Sequence, residues 1–375
     1  MSDSFVESIA LPDLSLWERI KNQRKLLSFD LELTARCNNN CRHCYINLPV
    51  NDTGAKNKEL KFDQIKAIVD QAVELGALWC LITGGEPLLR EDFFDIYLYL
   101  KKKGILVSIF TNANLITDKH IELFKKYPPR DIEVTVYGVT QKTYEAVTRK
   151  AGSYAAFLNG LNLLLKNRIK VRYKAMAIRS NFQELPLIAR FCREHTTDYF
   201  RFDPFLHLRF DADQNRNKEI KSERLTPEEI VAIEQQDSER SVALKNNCDK
   251  LIVPEFAQDN CRHLFRCGTG NGSFSLSYDG LFRLCSSLWQ ADCVCDLKKI
   301  PLKQAWEEFA LKVKSMYSEK KEFLEKCCKC PIINLCIWCP AHAYLETQEL
   351  DKPVDYFCEV AHARQKWLEK KLDKK

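Results

Sequence analysis

Cysteine is the residue type that most constrains this chain. It occupies 17 of the 375 positions, and eleven of those positions lie between Cys261 and Cys358. In a short secreted protein this density would predict disulfides, but Met1–Ala10 is acidic and lacks the basic start of a signal peptide. Inside a reducing cell, clustered thiols more often bind metal. The sequence therefore predicts a cytoplasmic metalloprotein.

Composition and charge exclude other classes of protein. Apolar residues make up 45% and charged residues 29% of the chain, which is typical of a soluble globular protein. The net charge of +6 is mild, and the basic residues are spread along the chain rather than gathered into one stripe. The apolar runs are far too short to cross a bilayer. We therefore expect no nucleic-acid partner and no membrane.

Short apolar runs alternate with amphipathic segments over the first half of the chain. The runs predict six strands, at Phe29–Leu33, Trp79–Thr83, Ile105–Thr111, Ile132–Tyr137, Lys170–Ile178 and Tyr199–Phe202. The segments predict helices at Phe62–Leu75, Asp92–Lys103, Asp118–Tyr127, Tyr154–Lys166 and Gln183–His195. Alternating strands and helices favour a parallel sheet of βαβ units. Six units fall short of the eight of a closed barrel, so we predict an α/β fold with a partial (β/α)6 barrel like that of triosephosphate isomerase.

The pattern then changes twice. Arg209–Arg224 is polar and charged, and a capped helix is predicted to begin at Leu225–Glu229 and run to about Lys245. The cysteine-rich part begins at Cys261. We predict four parts, which are an N-terminal segment (1–27), a barrel (28–225), a helical linker (226–260) and a smaller cysteine-rich C-terminal domain (261–375).

Three cysteines follow the first strand in a single loop, as Cys37, Cys41 and Cys44. Soft thiolate ligands suit iron–sulfur clusters. A cluster of four irons takes four ligands, so three cysteines leave one iron open to another molecule. The alternative is a structural zinc ion with His43 as fourth ligand.

The next conspicuous segment is Gly84-Gly85-Glu86-Pro87, directly after the second strand. Two glycines let the backbone approach a ligand closely, and a Glu accepts hydrogen bonds from an ammonium group. The alternative is a tight turn between strand and helix with a solvated Glu.

Together, the Cys-x3-Cys-x2-Cys loop and this segment resemble the radical S-adenosylmethionine (SAM) superfamily. The resemblance implies that the amino and carboxylate groups of SAM chelate the open iron of a 4Fe-4S cluster. It places His43 near the adenine, with Tyr45 directly after it. It further implies SAM contacts at Gly84–Pro87, at Asn112 and Thr135 near the ribose, and at Arg149 near the carboxylate.

The C-terminal cysteines resemble the SPASM extension, a module of radical SAM enzymes that mature peptides and proteins. The resemblance implies two auxiliary 4Fe-4S clusters, one held by Cys261, Cys267, Cys285 and Cys339 and the other by Cys327, Cys330, Cys336 and Cys358. Cys336 and Cys339 are two residues apart, where the usual pattern has three. The alternative is a zinc ribbon formed by Cys327, Cys330, Cys336 and Cys339.

Further side chains are weaker candidates. Asp203 and Tyr137, near the ends of predicted strands, are expected to face the barrel mouth and are the candidate catalytic residues. Cys293 and Cys295 alternate, so both are expected on one exposed face.

The resemblance implies an enzyme that cleaves SAM reductively to a 5′-deoxyadenosyl radical and abstracts hydrogen from its substrate. We predict a peptide or protein maturase, forming a crosslink or oxidising a side chain, with a flavodoxin- or ferredoxin-type electron donor. Three alternatives stay open, which are a small-molecule substrate, sulfatase maturation and a non-catalytic iron–sulfur carrier. Ser286 and Ser287 follow Cys285, where sulfatase-maturing enzymes typically have an aspartate.

Overall fold

One sheet organises the molecule. The computed structural model describes residues 24–196, 198, 200–247, 251–252, 262–336 and 338–372. The first eight strands are β1 Ser28–Glu32, β2 Arg36–Cys37, β3 Leu48–Pro49, β4 Trp79–Thr83, β5 Leu106–Thr111, β6 Asp131–Thr135, β7 Val171–Met176 and β8 Arg201–Asp203. The C-terminal strands are β9 Ser273–Leu276, β10 Leu281–Arg283 and β11 Val294–Asp296. Nine of them form a sheet in the order β11-β10-β9-β1-β4-β5-β6-β7-β8, and β2 pairs with β3 alone.

Six strands, β1 and β4–β8, pair in parallel, as the partial barrel requires. Side chains alternate between its two faces. Phe29, Cys80 and Ile109 pack into the apolar core under the helices. Their neighbours Asp30 and Phe110 line a cavity on the opposite face. The predicted α/β fold with a partial barrel is confirmed; of the sixth predicted strand, Tyr199 lies outside the described residues.

Helices cover the outer face of the barrel. They span Thr53–Lys58, Phe62–Glu74, Phe93–Lys102, Asp118–Lys126, Gln141–Thr148, Ser153–Lys166 and Leu185–His195, with 3-10 turns at Pro87–Leu89 and Phe182–Glu184. Each predicted helix is present within two residues of its bounds. The sequence pattern did not indicate two further helices, Thr53–Lys58 and Gln141–Thr148. Both are short, and Thr53–Lys58 buries only Ala55.

The segment after the barrel differs from its prediction. The polar stretch contains a helix, Gln214–Ser222, whose N-terminus is capped by Asp213. The single helix predicted up to Lys245 is two helices, Pro227–Gln236 and Ser238–Asn246. Asp237 separates them because its backbone is extended and its side chain accepts from the Arg240 amide, which caps the second helix.

The C-terminal strands extend the barrel sheet across the predicted boundary at residue 261. Strand β9 pairs in parallel with β1 over Ser28–Leu31. Behind this pair, the guanidinium of Arg283 lies 2.7 Å from the carboxylate of Glu32, with both side chains at most 1% exposed. A partial barrel leaves the edge of β1 unpaired, and β9 covers that edge.

The rest of the C-terminal region is helical. Its helices are Leu302–Gln304, a π turn Ala305–Phe309, Ala310–Lys314, Lys321–Lys326, Pro340–Thr347 and Asp355–Leu372, with a 3-10 turn at Ala291–Cys293. The prediction that Cys293 lies on an exposed face is wrong. Cys293 is buried in the core with its sulfur 3.7 Å from that of Met316, whereas Cys295 is partly buried. None of the described helices has the length and apolarity needed to cross a membrane.

Candidate cofactor site

A cavity of about 290 Å³ opens at the carboxyl ends of the barrel strands. Strand ends meet there in a parallel barrel, so residues far apart in sequence converge. Its walls contain many of the predicted site residues, which are Cys37, Cys41, His43, Cys44, Tyr45, Gly84, Gly85, Asn112, Thr135, Tyr137 and Asp203.

The three cysteine thiols of the loop are buried or partly buried. Burial, followed by the negative charge of Cys44, raises the pKa of Cys41 to about 12, although a hydrogen bond with Tyr137 opposes the rise. The pKa values of Cys37 and Cys44 are also raised, first by burial. A thiol loses its proton when it binds a metal cation, so these three cysteines can act as thiolate ligands in spite of their raised pKa values.

The cysteine loop is fixed by hydrogen bonds from its backbone amides to distant parts of the chain. The Asn40 and Arg42 amides donate to the carbonyls of Thr148 and Val147 at 2.9 and 3.2 Å. These carbonyls end the helix Gln141–Thr148, where backbone acceptors are left without helical partners. The helix end therefore satisfies its own acceptors by holding the loop.

The two glycines lie against the backbone that leads into the loop. The Gly85 amide donates to the Thr34 carbonyl at 2.6 Å. A Cβ on Gly85 would lie 2.2 Å from the Arg36 oxygen, and one on Gly84 would lie 2.3 Å from the Thr34 oxygen. Gly84 also has a φ of +139°. Only glycine permits this approach to the neighbouring backbone, and the predicted close approach to SAM stays a prediction.

Glu86 is fully buried and is not among the residues that line the cavity. Its carboxylate accepts hydrogen bonds from the hydroxyl of Thr111 at 2.8 Å and from the Asn112 amide at 2.9 Å. Burial raises its pKa to about 7. Glu86 thus ties the turn that begins at Pro87 to the end of β5, and its contact with SAM stays a prediction.

Several buried polar atoms beside the loop have no hydrogen-bond partner among the described residues. Two of them, His43 Nδ1 and Asn39 Nδ2, belong to residues that line the cavity. Burial lowers the pKa of His43 to about 4, so its ring is neutral. Polar groups left unpaired in a cavity wall indicate that a polar ligand completes them. The residues present fit SAM in this respect.

Arg149 is absent from the cavity lining. Its guanidinium donates to both oxygens of Glu219 at 2.8 and 3.0 Å and to the Asn40 carbonyl at 2.8 Å. Its predicted contact with the SAM carboxylate stays a prediction.

The cavity is also lined by ionisable residues that the sequence pattern did not single out. Asp30, Lys174 and His207 line it. Lys174 Nζ lies 2.8 Å from Glu133 Oε1, and Asp30 accepts from Ser275 at 2.7 Å. Asp30 and Lys174 could have been identified from the sequence, because each is a charged residue within a mainly apolar predicted strand, where charge is rare.

The C-terminal cysteines fall into two electrostatic groups. Burial raises the pKa of Cys339 to about 12, and the charges of Cys285 and Cys267 add to this. In the second group, burial raises the pKa of Cys327 to about 12, with further contributions from Cys358 and Cys330.

Cys336 belongs with the second group because it hydrogen-bonds Cys358. Cys261 lies outside the described residues. No three Cys, His, Asp or Glu side chains in the described ranges converge to hold a single metal ion. A four-iron cluster instead binds each cysteine through a different iron.

Comparison with known proteins identifies the first half of the chain. Residues 31–192 match the model of the radical SAM superfamily. The matched range contains the cysteine loop, both glycines and the strands from β4 to β7.

Individual relatives are distant. The antilisterial bacteriocin subtilosin biosynthesis protein AlbA of Bacillus subtilis (strain 168) is 26% identical over 275 residues, which are 69% of this chain and 60% of AlbA. An AdoMet-dependent heme synthase of Methanosarcina barkeri (strain Fusaro / DSM 804) is 23% identical over 334 residues, covering 84% of this chain and 91% of the synthase. The two relatives carry different activities in their names.

Among solved structures, Streptococcus suis SuiB bound to precursor peptide SuiA has a TM-score of 0.66 at 16% identity. The match covers 96% of this chain and 84% of SuiB. At this identity the likeness shows the fold, and it includes the C-terminal region as well as the barrel.

Proposed function

We propose that this chain, which is a radical SAM enzyme with a cysteine-rich C-terminal region, modifies a side chain of a ribosomally made peptide or protein. The observation that carries the proposal is the composition of the cavity. Its wall contains the cysteine loop and also Ser286, the residue after Cys285. A substrate held there would lie between the cysteine loop and the residue that follows Cys285.

SAM and the cluster held by Cys37, Cys41 and Cys44, when bound, supply the radical that removes a hydrogen atom from the substrate. The glycines let the end of β4 pack against the backbone that leads into the cysteine loop, while His43 and Asn39 offer SAM unpaired polar atoms. Tyr137 lies beside Cys41 and walls the cavity. These residues orient SAM and exclude water from the reaction.

Two auxiliary clusters are part of the proposal. Cys267, Cys285 and Cys339, with Cys261, hold the first, and Cys327, Cys330, Cys336 and Cys358 hold the second. The first cluster, when bound, would supply a one-electron acceptor for the substrate radical. Asp203 is the candidate to accept the proton that leaves with that electron. A flavodoxin- or ferredoxin-type protein supplies the electron that starts the reaction.

The size of the cavity favours a peptide over a bulky metabolite. About 290 Å³ is at the lower end for a pocket that encloses one drug-sized ligand. SAM is itself a ligand of about this size, so once it is bound the substrate must reach the radical from the open side of the cavity, as a side chain of a peptide can. AlbA takes part in subtilosin biosynthesis and SuiB binds a precursor peptide, which agrees with this preference. The heme synthase relative supports a small-molecule substrate as the second candidate.

The first experiment measures iron content and 5′-deoxyadenosine release under dithionite in anaerobically reconstituted protein. We expect about twelve irons per chain. Substituting Cys37, Cys41 and Cys44 together by Ala should abolish 5′-deoxyadenosine and leave about eight irons. Full iron without 5′-deoxyadenosine would contradict the enzyme.

The substrate class is tested by co-expressing the enzyme with short peptides encoded beside its gene. Mass spectrometry should find a peptide that loses about two hydrogens when a crosslink or an oxidised side chain forms. Unchanged peptides together with an altered small metabolite would favour the second candidate.

A further inference from the structure

Three arginines hold the cysteine loop through its peptide carbonyls. Arg149 donates to the Asn40 carbonyl at 2.8 Å, and Arg216 donates to that of Cys41 at 2.9 Å. Arg209 donates to the Asn47 carbonyl at 3.2 Å. Each guanidinium therefore brings a fixed positive charge to the backbone of the loop that binds the cluster.

Two of these bonds lie at one of the loop cysteines. Arg149 bonds the carbonyl of the residue before Cys41, and Arg216 bonds the carbonyl of Cys41 itself. Two guanidinium charges are therefore held against the backbone of a cysteine that would bind the cluster.

One carboxylate serves two of the arginines. Glu219 accepts from Arg149 through both oxygens and from Arg216 at 2.6 Å. It lies on the helix Gln214–Ser222, outside the matched family range of 31–192. Arg209 has a separate partner in Asp211. Glu219 is thus a single negative charge placed between two positive ones beside the loop.

We propose that Glu219 and Arg216 are positioning residues that set the reduction potential of the cluster at the three-cysteine loop. A reduced cluster carries one more negative charge than an oxidised one. Positive charge near the loop favours the reduced form, and negative charge disfavours it. Glu219 offsets the arginines and keeps the cluster strongly reducing, which the transfer of an electron to SAM requires.

The test removes one charge at a time from the contact between Arg216 and Glu219 and compares the signs of the two shifts in potential. Glu219→Gln removes a negative charge, so the midpoint potential should become more positive. Arg216→Gln removes a positive charge, so the potential should become more negative. We expect about a tenfold change in the reduction constant in each direction, which is about 59 mV for one electron. Loosening of the loop alone would not produce opposite signs.

The measurement is an anaerobic redox titration of reconstituted full-length protein, followed by the iron–sulfur EPR signal that changes when SAM is added. That change distinguishes the loop cluster from the auxiliary clusters. Glu346→Gln is the matched control, because Glu346 pairs with Arg224 and does not contact the loop. Arg216→Lys keeps the charge and should leave the potential near that of the wild type.

Shifts of the same sign, shifts no larger than that of Glu346→Gln, or loss of the SAM-responsive signal in both charge variants would overturn the proposal. The proposal rests on the loop cluster of the proposed function and not on its peptide substrate. A failed search for a peptide product therefore leaves the titration interpretable.

Discussion

The cysteine loop after β1 and the C-terminal segment 327–339 both gather thiols, but the chain holds them differently. Amides of the loop bond to remote carbonyls, as Asn40 does to Thr148. In the C-terminal segment the backbone amides donate hydrogen bonds to carbonyls of the same turn. Cys330 donates to the carbonyl of Cys327, and Cys336 donates to that of Ile332.

This difference separates two ways of building a metal site. The loop is braced by a neighbouring helix and by arginines before any metal binds. The backbone amides of the C-terminal segment bond locally, and Arg364 donates to its Leu335 carbonyl at 2.9 Å. A cluster bound there, as proposed, would add to the order of these local turns. Metal binding in such a segment is coupled to folding.

The largest expected effect comes from removing the iron. After anaerobic chelation, amide hydrogen exchange should rise strongly in 327–339, because its bonds are local, and stay slow at Asn40 and Arg42. Hydrogen exchange followed by mass spectrometry measures both segments in one sample. Equal protection of both segments without iron would break the comparison.

The next effect concerns the preformed site. Gly85→Ala places a Cβ 2.2 Å from the Arg36 carbonyl oxygen, so the backbone must shift and SAM should bind at least about tenfold more weakly, a loss of about 1.4 kcal/mol. Equilibrium dialysis of reconstituted protein measures the Kd. Gly268→Ala is the matched control, because its Cβ would meet no atom within 4 Å. An unchanged Kd for Gly85→Ala would show that the site adapts to its ligand.

An effect on the stability of the fold, rather than on binding, is expected at the base of the loop. Arg36 lies 2.7 Å from Glu59, and each side chain is 7% exposed. Arg36→Met leaves the buried Glu59 with the Thr34 hydroxyl. Among the described residues its one remaining cation is the more distant Arg90 at 3.7 Å, so we expect a loss of about 3 kcal/mol in the free energy of unfolding. Urea unfolding measures the loss, and adding Glu59→Gln should recover part of it. No recovery would mean that Arg36 acts through packing.

The smallest effect is expected on the C-terminal side. Lys314 Nζ donates to the carbonyls of Cys267 and Thr269 at 2.6 and 2.9 Å. Lys314→Met should cost about 1 kcal/mol, since the freed carbonyls are partly open to water. The same urea titration applies. A loss exceeding that of Arg36→Met would reverse the order of the two regions.

Much of the barrel was predictable because its strands are apolar runs separated by amphipathic helices. The Trp79–Thr83 strand was predicted with its observed bounds. The helix Gln214–Ser222 was missed because its one buried residue is Ile220. The pairing of β9 with β1 was also missed, since no local pattern specifies a partner that lies this far along the chain.

The site was predictable where chemistry restricts the residue type. The loop cysteines and the two glycines meet at one cavity, as the motifs predicted. Glu219 was not identified, since a Glu on a polar helix looks like any solvated residue. Its role depends on which arginines the fold brings to it.

The pairing of β9 with β1 also constrains the order in which the molecule forms. Ser275 and Asp30 bond across 245 residues. Ribosomes add about 5–20 residues per second, so the edge of β1 waits roughly 12–50 s for its partner to be synthesised. During that interval the nascent barrel exposes an open strand to any chaperone or neighbouring chain, and the sheet closes only when the cysteine-rich region has begun to emerge.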